Sequence, residues 1–133
     1  MENHTPFVQT LYAAFGRGDL PAILEACAAG IVWESNADRQ RVAWGGAWRG
    51  HEGATGFFIA LAGHLEFLAF EPRQFFPSGN TVVVLGHTQA RFKTGAQGVF
   101  DSDWVHVFTV KDGKLAGFRE FYDTAAIERA QGG

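Results

Sequence analysis

Cysteine is almost missing from this chain: Cys27 is the only one in 133 residues. One thiol excludes an intrachain disulfide and a cysteine-built metal knuckle, and it fits a reducing compartment. Its place among apolar neighbours predicts a small core residue on a helix face. Runs of Lys or Arg are missing as well, and the formal net charge is -3. Without a basic footprint there is nothing to displace counterions from a phosphate backbone, so nucleic acid is not an expected partner. No apolar stretch approaches the roughly 18 residues of a membrane span. The opening MENHTPFVQT has no basic segment leading into an apolar one, which points to a soluble, cytoplasmic protein. His4, His51, His64 and His87 form no close-spaced pair with a carboxylate, which argues against a zinc or iron site. Gly45, Gly46 and Gly50 lack the strand and helix context of a phosphate loop. Repeats, low-complexity tracts and linkers are absent too, so residues 1–133 read as a single domain.

Aromatic carbon is what the chain has in quantity. Thirteen phenylalanines and four tryptophans suit either an ordinary Phe-rich core or a cavity for an apolar or ring-shaped ligand. Thr5 and Pro6 predict a helix start, and Phe7, Leu11 and Phe15 recur along one face until Gly16 and Gly18. Asp19 predicts the cap of a second helix running to Gly30. IVWES, Ile31 to Ser35, reads as a strand, and the stretch from Asn36 to Gly50 as a loop. A third helix is expected from about His51 to Gly63. From Leu65 onward the pattern is strand-like, broken by the turn signals PSGN, KTGAQG and KDGK, until a last helix capped by Asp123. Helices first and antiparallel strands afterwards indicate α+β.

The segment FREFY places Arg119 and Glu120 inside an aromatic strand. A carboxylate there either faces solvent or is aimed into a pocket, and the register of the KDGK hairpin decides which side chains it meets. A two-residue turn sets Lys111 opposite Lys114 and His106 opposite Arg119. A three-residue loop with Gly113 left-handed sets Trp104 opposite Glu120 and His106 opposite Phe118. The second is favoured because it brings Arg119 near Asp103 rather than opposing like charges. It collects Trp104, His106, Glu120 and Tyr122 on one face. Val105, Val107 and Phe121 share the other, which predicts a homodimer packed through that outer face.

GDL after the first helix, WRGHEGATGFFIAL opening the third, WVHVFTVKDGKL across the hairpin and FREFYDTAAI at the end together resemble the SnoaL-like polyketide cyclase family. That family lies within the nuclear-transport-factor-2-like and ketosteroid isomerase superfamily. The resemblance covers essentially the whole chain. It implies a cone-shaped, curved antiparallel sheet wrapped around the N-terminal helices with an internal pocket. It also implies small-molecule chemistry with no metal or organic cofactor. The acid/base carboxylate of the cyclases falls at Glu120, three residues before Asp123, and His106 falls where the isomerase carries an oxyanion-hole donor. The isomerase's general base on the first strand has no match in WESN, where Ser35 follows Glu34. Its helix-1 tyrosine maps to Leu11, with Tyr12 one position away.

The expected catalytic residues are therefore Glu120, moving a proton, and His106, polarising an oxygen. Trp104, Tyr122, Tyr12, Trp33 and Trp48 are the expected aromatic walls of the ligand site. The activity implied is a cyclisation, isomerisation or dehydration of an apolar or ring-containing carbonyl compound. Two alternatives stand beside it: a noncatalytic ligand-binding or dimerisation module, and an epoxide-hydrolase-like enzyme drawing on Arg91, Asp101 and Asp103.

Overall fold

The computed structural model describes residues 3–132. Helices α1 (Thr5–Gly16) and α2 (Leu20–Ala26) open the chain, followed by strands β1 (Cys27–Ser35) and β2 (Gly46–Arg49) and helix α3 (Gly50–His64). Strands β3 (Leu65–Ser78), β4 (Thr81–Phe92), β5 (Val99–Lys111) and β6 (Lys114–Phe121) follow, and α4 (Thr124–Gln131) closes it. The six strands form one sheet in the order β2-β1-β6-β5-β4-β3. Helices precede the meander, so the architecture is α+β. The expected all-antiparallel pairing needs one correction: β1 runs parallel to β6, which makes the sheet mixed. Among the described residues no helix is long and apolar enough to cross a membrane.

Side-chain alternation gives the sheet two unlike faces. Along β5, Phe100, Ser102, Trp104, His106, Phe108 and Val110 are buried while the residues between them are exposed or half-buried. The buried face receives α1 through Val8, Leu11 and Ala14, and α3 through Ala54, Phe57 and Leu61. These spacings put each set on one side of its helix. Register shifts in β3 between Phe67 and Ala69 and between Pro72 and Gln74 bend that strand so that the sheet curves around the helices.

Three local expectations differ in the structure, two of them through strand pairing. Helix α2 stops at Ala26 because Cys27 pairs with Leu115 of β6. Cys27 is thus a buried strand residue, and strand pairing overrides the helical preference of Ala28 and Ala29 that follow it. Part of the expected loop, Gly46–Arg49, forms β2 against Val32 to Ser35. Thr5 is the first helical residue rather than the cap; its N–H donates to Asn3 Oδ1 at 2.9 Å. Asp19 and Asp123 cap as expected, accepting from Ala22 N–H and Ala126 N–H.

The hairpin at KDGK also differs from the favoured register. Lys111 stands directly opposite Lys114, with Asp112 at φ 53 and Gly113 at φ 75, the paired positive φ of a type I′ turn. Repulsion between two solvated lysines at a rim is weak, and the Asp-Gly turn preference outweighs it. A bulge then inserts Ala116 between the pairs Val110–Leu115 and Thr109–Gly117, so that His106 faces Glu120. The extra residue in the strand has the same effect on parity as an extra residue in the loop would have had. His106, Trp104 and Glu120 therefore share the buried face although the pairing partners differ. Arg119 finds Glu34 across the parallel β1–β6 pair at 3.9 Å, not Asp103.

Candidate active site

Three neighbouring strands deliver one polar row to the buried face. Ser35 of β1 pairs with Glu120 of β6, and Glu120 pairs with His106 of β5. Adjacent strands lie roughly 5 Å apart, so these three side chains are close neighbours. One step along the strands the next row is Trp33, Phe118 and Phe108. Polar and aromatic rows thus lie side by side under the helices.

Glu120 is 7% exposed, and Ser35 Oγ donates to its Oε2 at 3.2 Å. Burial withholds water from the carboxylate and raises its pKa to about 8, with the Ser35 hydrogen bond pulling weakly the other way. At neutral pH the group is mostly a carboxylic acid. His106 is also buried, and burial holds its pKa well below the usual imidazole value. Its Nδ1 meets Tyr12 Oη at 2.8 Å while its Nε2 has no partner among the described residues. Donation from the Tyr12 hydroxyl to Nδ1 satisfies the tyrosine hydrogen and leaves the imidazole proton on Nε2. Burial also raises the Tyr12 pKa, so this hydroxyl stays protonated.

Trp104 braces the imidazole. The two rings stack at 3.7 Å and 14°, and Trp104 Nε1 donates to Thr88 Oγ1 at 2.7 Å. Gly86, paired across the sheet with Trp104, makes this possible: a Cβ there would run into the indole and the Glu71 carbonyl oxygen. Asn36 ties the end of β6 in place, its side chain exchanging two hydrogen bonds with the Tyr122 backbone at 3.0 and 3.1 Å.

Above the polar row is a cavity of about 60 Å³, walled mainly by Phe, Trp and Tyr rings. A wider groove of about 640 Å³ lies between α1, α2, α3 and β3. Tyr12, Phe15, Phe58 and Phe70 line both, so the groove is the entrance and the cavity its floor. Glu120, His106, Tyr12, Tyr122 and Trp33 all line the floor. Trp104 does not; it lies against His106. Trp48 is elsewhere as well: α3 carries Gly53 and Gly56 where that residue presses on it, Arg39 covers its ring at 3.9 Å, and its Nε1 donates to Trp44 O.

Several contributors escaped sequence reasoning. Trp44, from the apparent loop, and Phe57 and Phe58 of α3 line the cavity. Ser35 was visible two residues from Trp33, on the same face of β1, yet its partner depended on an unforeseen parallel pairing. Arg91, Asp101 and Asp103 stand on the exposed side of the sheet, bound to Glu66 and His87, and do not surround the cavity. His51 is used structurally, with Nε2 2.9 Å from Cys27 O. Among the described residues no group of three His, Cys, Asp or Glu could hold a metal ion.

The chain matches a family model described as a SnoaL-like domain over residues 8–118. No curated protein matches it. An NTF2-like protein from Burkholderia xenovorans LB400 has a crystal structure that is similar over 98% of each chain, at 30% identity and a TM-score of 0.88. An NTF2-like protein of unknown function from Burkholderia pseudomallei K96243 is similar over 100% of each chain, at 29% identity and a TM-score of 0.88. TerC, co-crystallised with polyporic acid, is similar over 95% of each chain at 25% identity, with a TM-score of 0.77.

Proposed function

The chain belongs to the SnoaL-like family within the NTF2-like superfamily, and from that premise we propose that it is an enzyme moving a proton on an apolar, ring-containing carbonyl compound. What carries this reading is the placement of a buried carboxyl, its pKa raised by burial, beside an imidazole whose Nε2 has no partner among the described residues, both on side chains lining an aromatic cavity. Glu120 delivers its proton to, or shares it with, a substrate oxygen. His106 Nε2–H donates to the same developing charge, in a site where few waters compete. The carboxylate left behind accepts a proton from the adjacent carbon, so one residue serves as acid and base in cyclisation, isomerisation or dehydration. Tyr12 keeps the imidazole proton on the nitrogen that faces the ligand. TerC with polyporic acid supports a small organic molecule as the occupant of this fold.

Exchange of α-protons tests the reading without a known substrate. In D2O, the protein should accelerate deuterium uptake by 1-tetralone, followed by NMR, with an apparent pKa near the value of about 8 held by Glu120. Glu120→Gln should bind the ketone but lose about 10²- to 10⁴-fold in rate. Binding with no acceleration by the native chain would leave a ligand-binding module instead.

The outer sheet face bears Val105, Val107 and Phe121, with Val105 opposite Phe121, and we propose that a second copy of the chain covers it. Light scattering should report a dimer at concentrations on the order of tens of micromolar, the range of a moderate self-affinity. A monomer there would remove this proposal.

A further inference from the structure

Trp33 carries a feature that a plain aromatic wall does not need. It is 5% exposed and lines the cavity, yet its Nε1 is buried with no hydrogen-bond partner among the described residues. Trp104 and Trp48, by contrast, each donate from Nε1 to a protein oxygen. An indole N–H is donor only, and a buried donor left unpaired costs free energy, so it calls for an acceptor. The second unpaired nitrogen in the same cavity is His106 Nε2.

The two sit one aromatic ring apart. Phe118 lies on the strand between theirs, stacked on Trp33 at 4.1 Å and 25° and edge-on to His106 at 4.9 Å and 66°. On the Trp33 side, Phe57 and Phe58 close around the indole, with centroids at 5.6 and 5.1 Å. The side chains lining the cavity thus carry hydrogen-bonding groups at two places, Glu120 with His106 at one and Trp33 at the other, with Phe118 between. An unsubstituted hydrocarbon ring would leave both unpaired. A compound with one oxygen would serve only one of them.

Resting on the reading of Glu120 and His106 as the reacting end, we infer that Trp33 fixes the direction in which the ligand enters by donating its indole N–H to a second acceptor oxygen. The ligand class is a flat ring compound with acceptor oxygens on opposite sides of the ring. One oxygen is the reacting carbonyl, and the other is an ether, carbonyl or phenolic oxygen held at Trp33. A site that rewards a second oxygen discriminates against analogues lacking it, because its own buried donor is then left unpaired.

Three probes and one conservative variant test this. Affinities of tetralin, 1-tetralone and 6-methoxy-1-tetralone are measured by calorimetry for the native chain and for Trp33→Phe, which keeps an aromatic ring and removes the N–H. The native chain should prefer 6-methoxy-1-tetralone over 1-tetralone by about threefold to tenfold, the worth of one hydrogen bond. In Trp33→Phe the ratio of the two ketone affinities should fall to about one, whatever that variant's affinity for 1-tetralone itself. Equal affinity of the two ketones for the native chain, or a uniform loss of all probes in the variant, would overturn the role of Trp33 alone. Failure of both ketones to bind the native chain would remove the carbonyl-site reading and this inference together. A variant that does not fold leaves the native preference between the two ketones as the deciding measurement.

Discussion

Two histidines on neighbouring strands of one sheet are driven in opposite directions. His106 faces inward, where burial strips its water and favours the neutral ring. His87 faces outward, with Nδ1 2.8 Å from Asp103 and Nε2 2.9 Å from Asp101, and these carboxylates raise its pKa. Both nitrogens of the His87 ring have partners; among the described residues His106 Nε2 has none. The outer cluster lines neither the cavity nor the groove and both of its ring nitrogens are paired, whereas the inner row lines the cavity and includes an unpaired nitrogen among the described residues. Perturbed titration alone would select both places, and the unpaired groups in an enclosed space separate them.

The sharpest way to break the comparison is through Glu120. Its native pKa of about 8 lies above its ordinary value of 4.5, so between those limits the folded chain holds a proton that the unfolded chain has released. Stability contributed by this group is therefore complete below about pH 4.5 and declines as pH rises toward 8, by roughly 1.4 kcal/mol per pH unit within that window. Glu120→Gln removes the titration. Urea unfolding should show the variant matching the native chain near pH 4.5 and exceeding it progressively up to pH 8. Parallel stability curves across that range would mean that the carboxyl is not desolvated, and the inner face would lose its distinction.

A smaller effect comes from the brace behind His106. Gly86→Ala forces a methyl against the Trp104 indole and the Glu71 carbonyl, and overpacking of this kind costs about 1–3 kcal/mol. Because Trp104 stacks directly on His106, proton exchange on 1-tetralone should also slow while the Glu120 titration persists. Unchanged exchange in a destabilised Gly86→Ala chain would show that Trp104 supports the core and not the imidazole.

The alternation of apolar residues made the two faces of β5 and β6 legible from the residues alone, and with them the company of Trp104, His106, Glu120 and Tyr122. What stayed hidden was whatever depends on pairing between distant segments. Ser35 reaches Glu120 only because β1 and β6 run parallel, and strand pairing of that separation leaves no local pattern. Weighing solvated charges, the lysine pair and Arg119 with Asp103, above the Asp-Gly turn preference gives the wrong hairpin register, and no residue type marks the bulge at Ala116. Residue type alone points Trp48 to the cavity, but type cannot show that Gly53 and Gly56 let it pack on α3 instead. From the residues alone Tyr12 reads as an aromatic wall; its bond to His106 Nδ1 depends on how α1 docks on the sheet.

The least effect is expected at His87, and its smallness is what tests the contrast. The ring stands opposite Glu71 on β3, with Asp103 and Asp101 bound to its nitrogens and Arg73 near enough to oppose its charge. Because the native pKa is raised, stability from the protonated ring is fully present below the unfolded value of about 6.5 and is lost as pH climbs through the folded one. Solvent and salt screen the exposed partners, so His87→Gln should lower the melting temperature by no more than about 2 °C at pH 6 and leave it unchanged at pH 9. The pH 6 difference should shrink in high salt. Exchange of 1-tetralone protons should stay at the native rate throughout, since no group of this cluster faces the cavity. A loss of exchange comparable to that of Glu120→Gln would mean that the outer carboxylates act on the ligand, and the division of the sheet into a structural face and a chemical one would have to be abandoned.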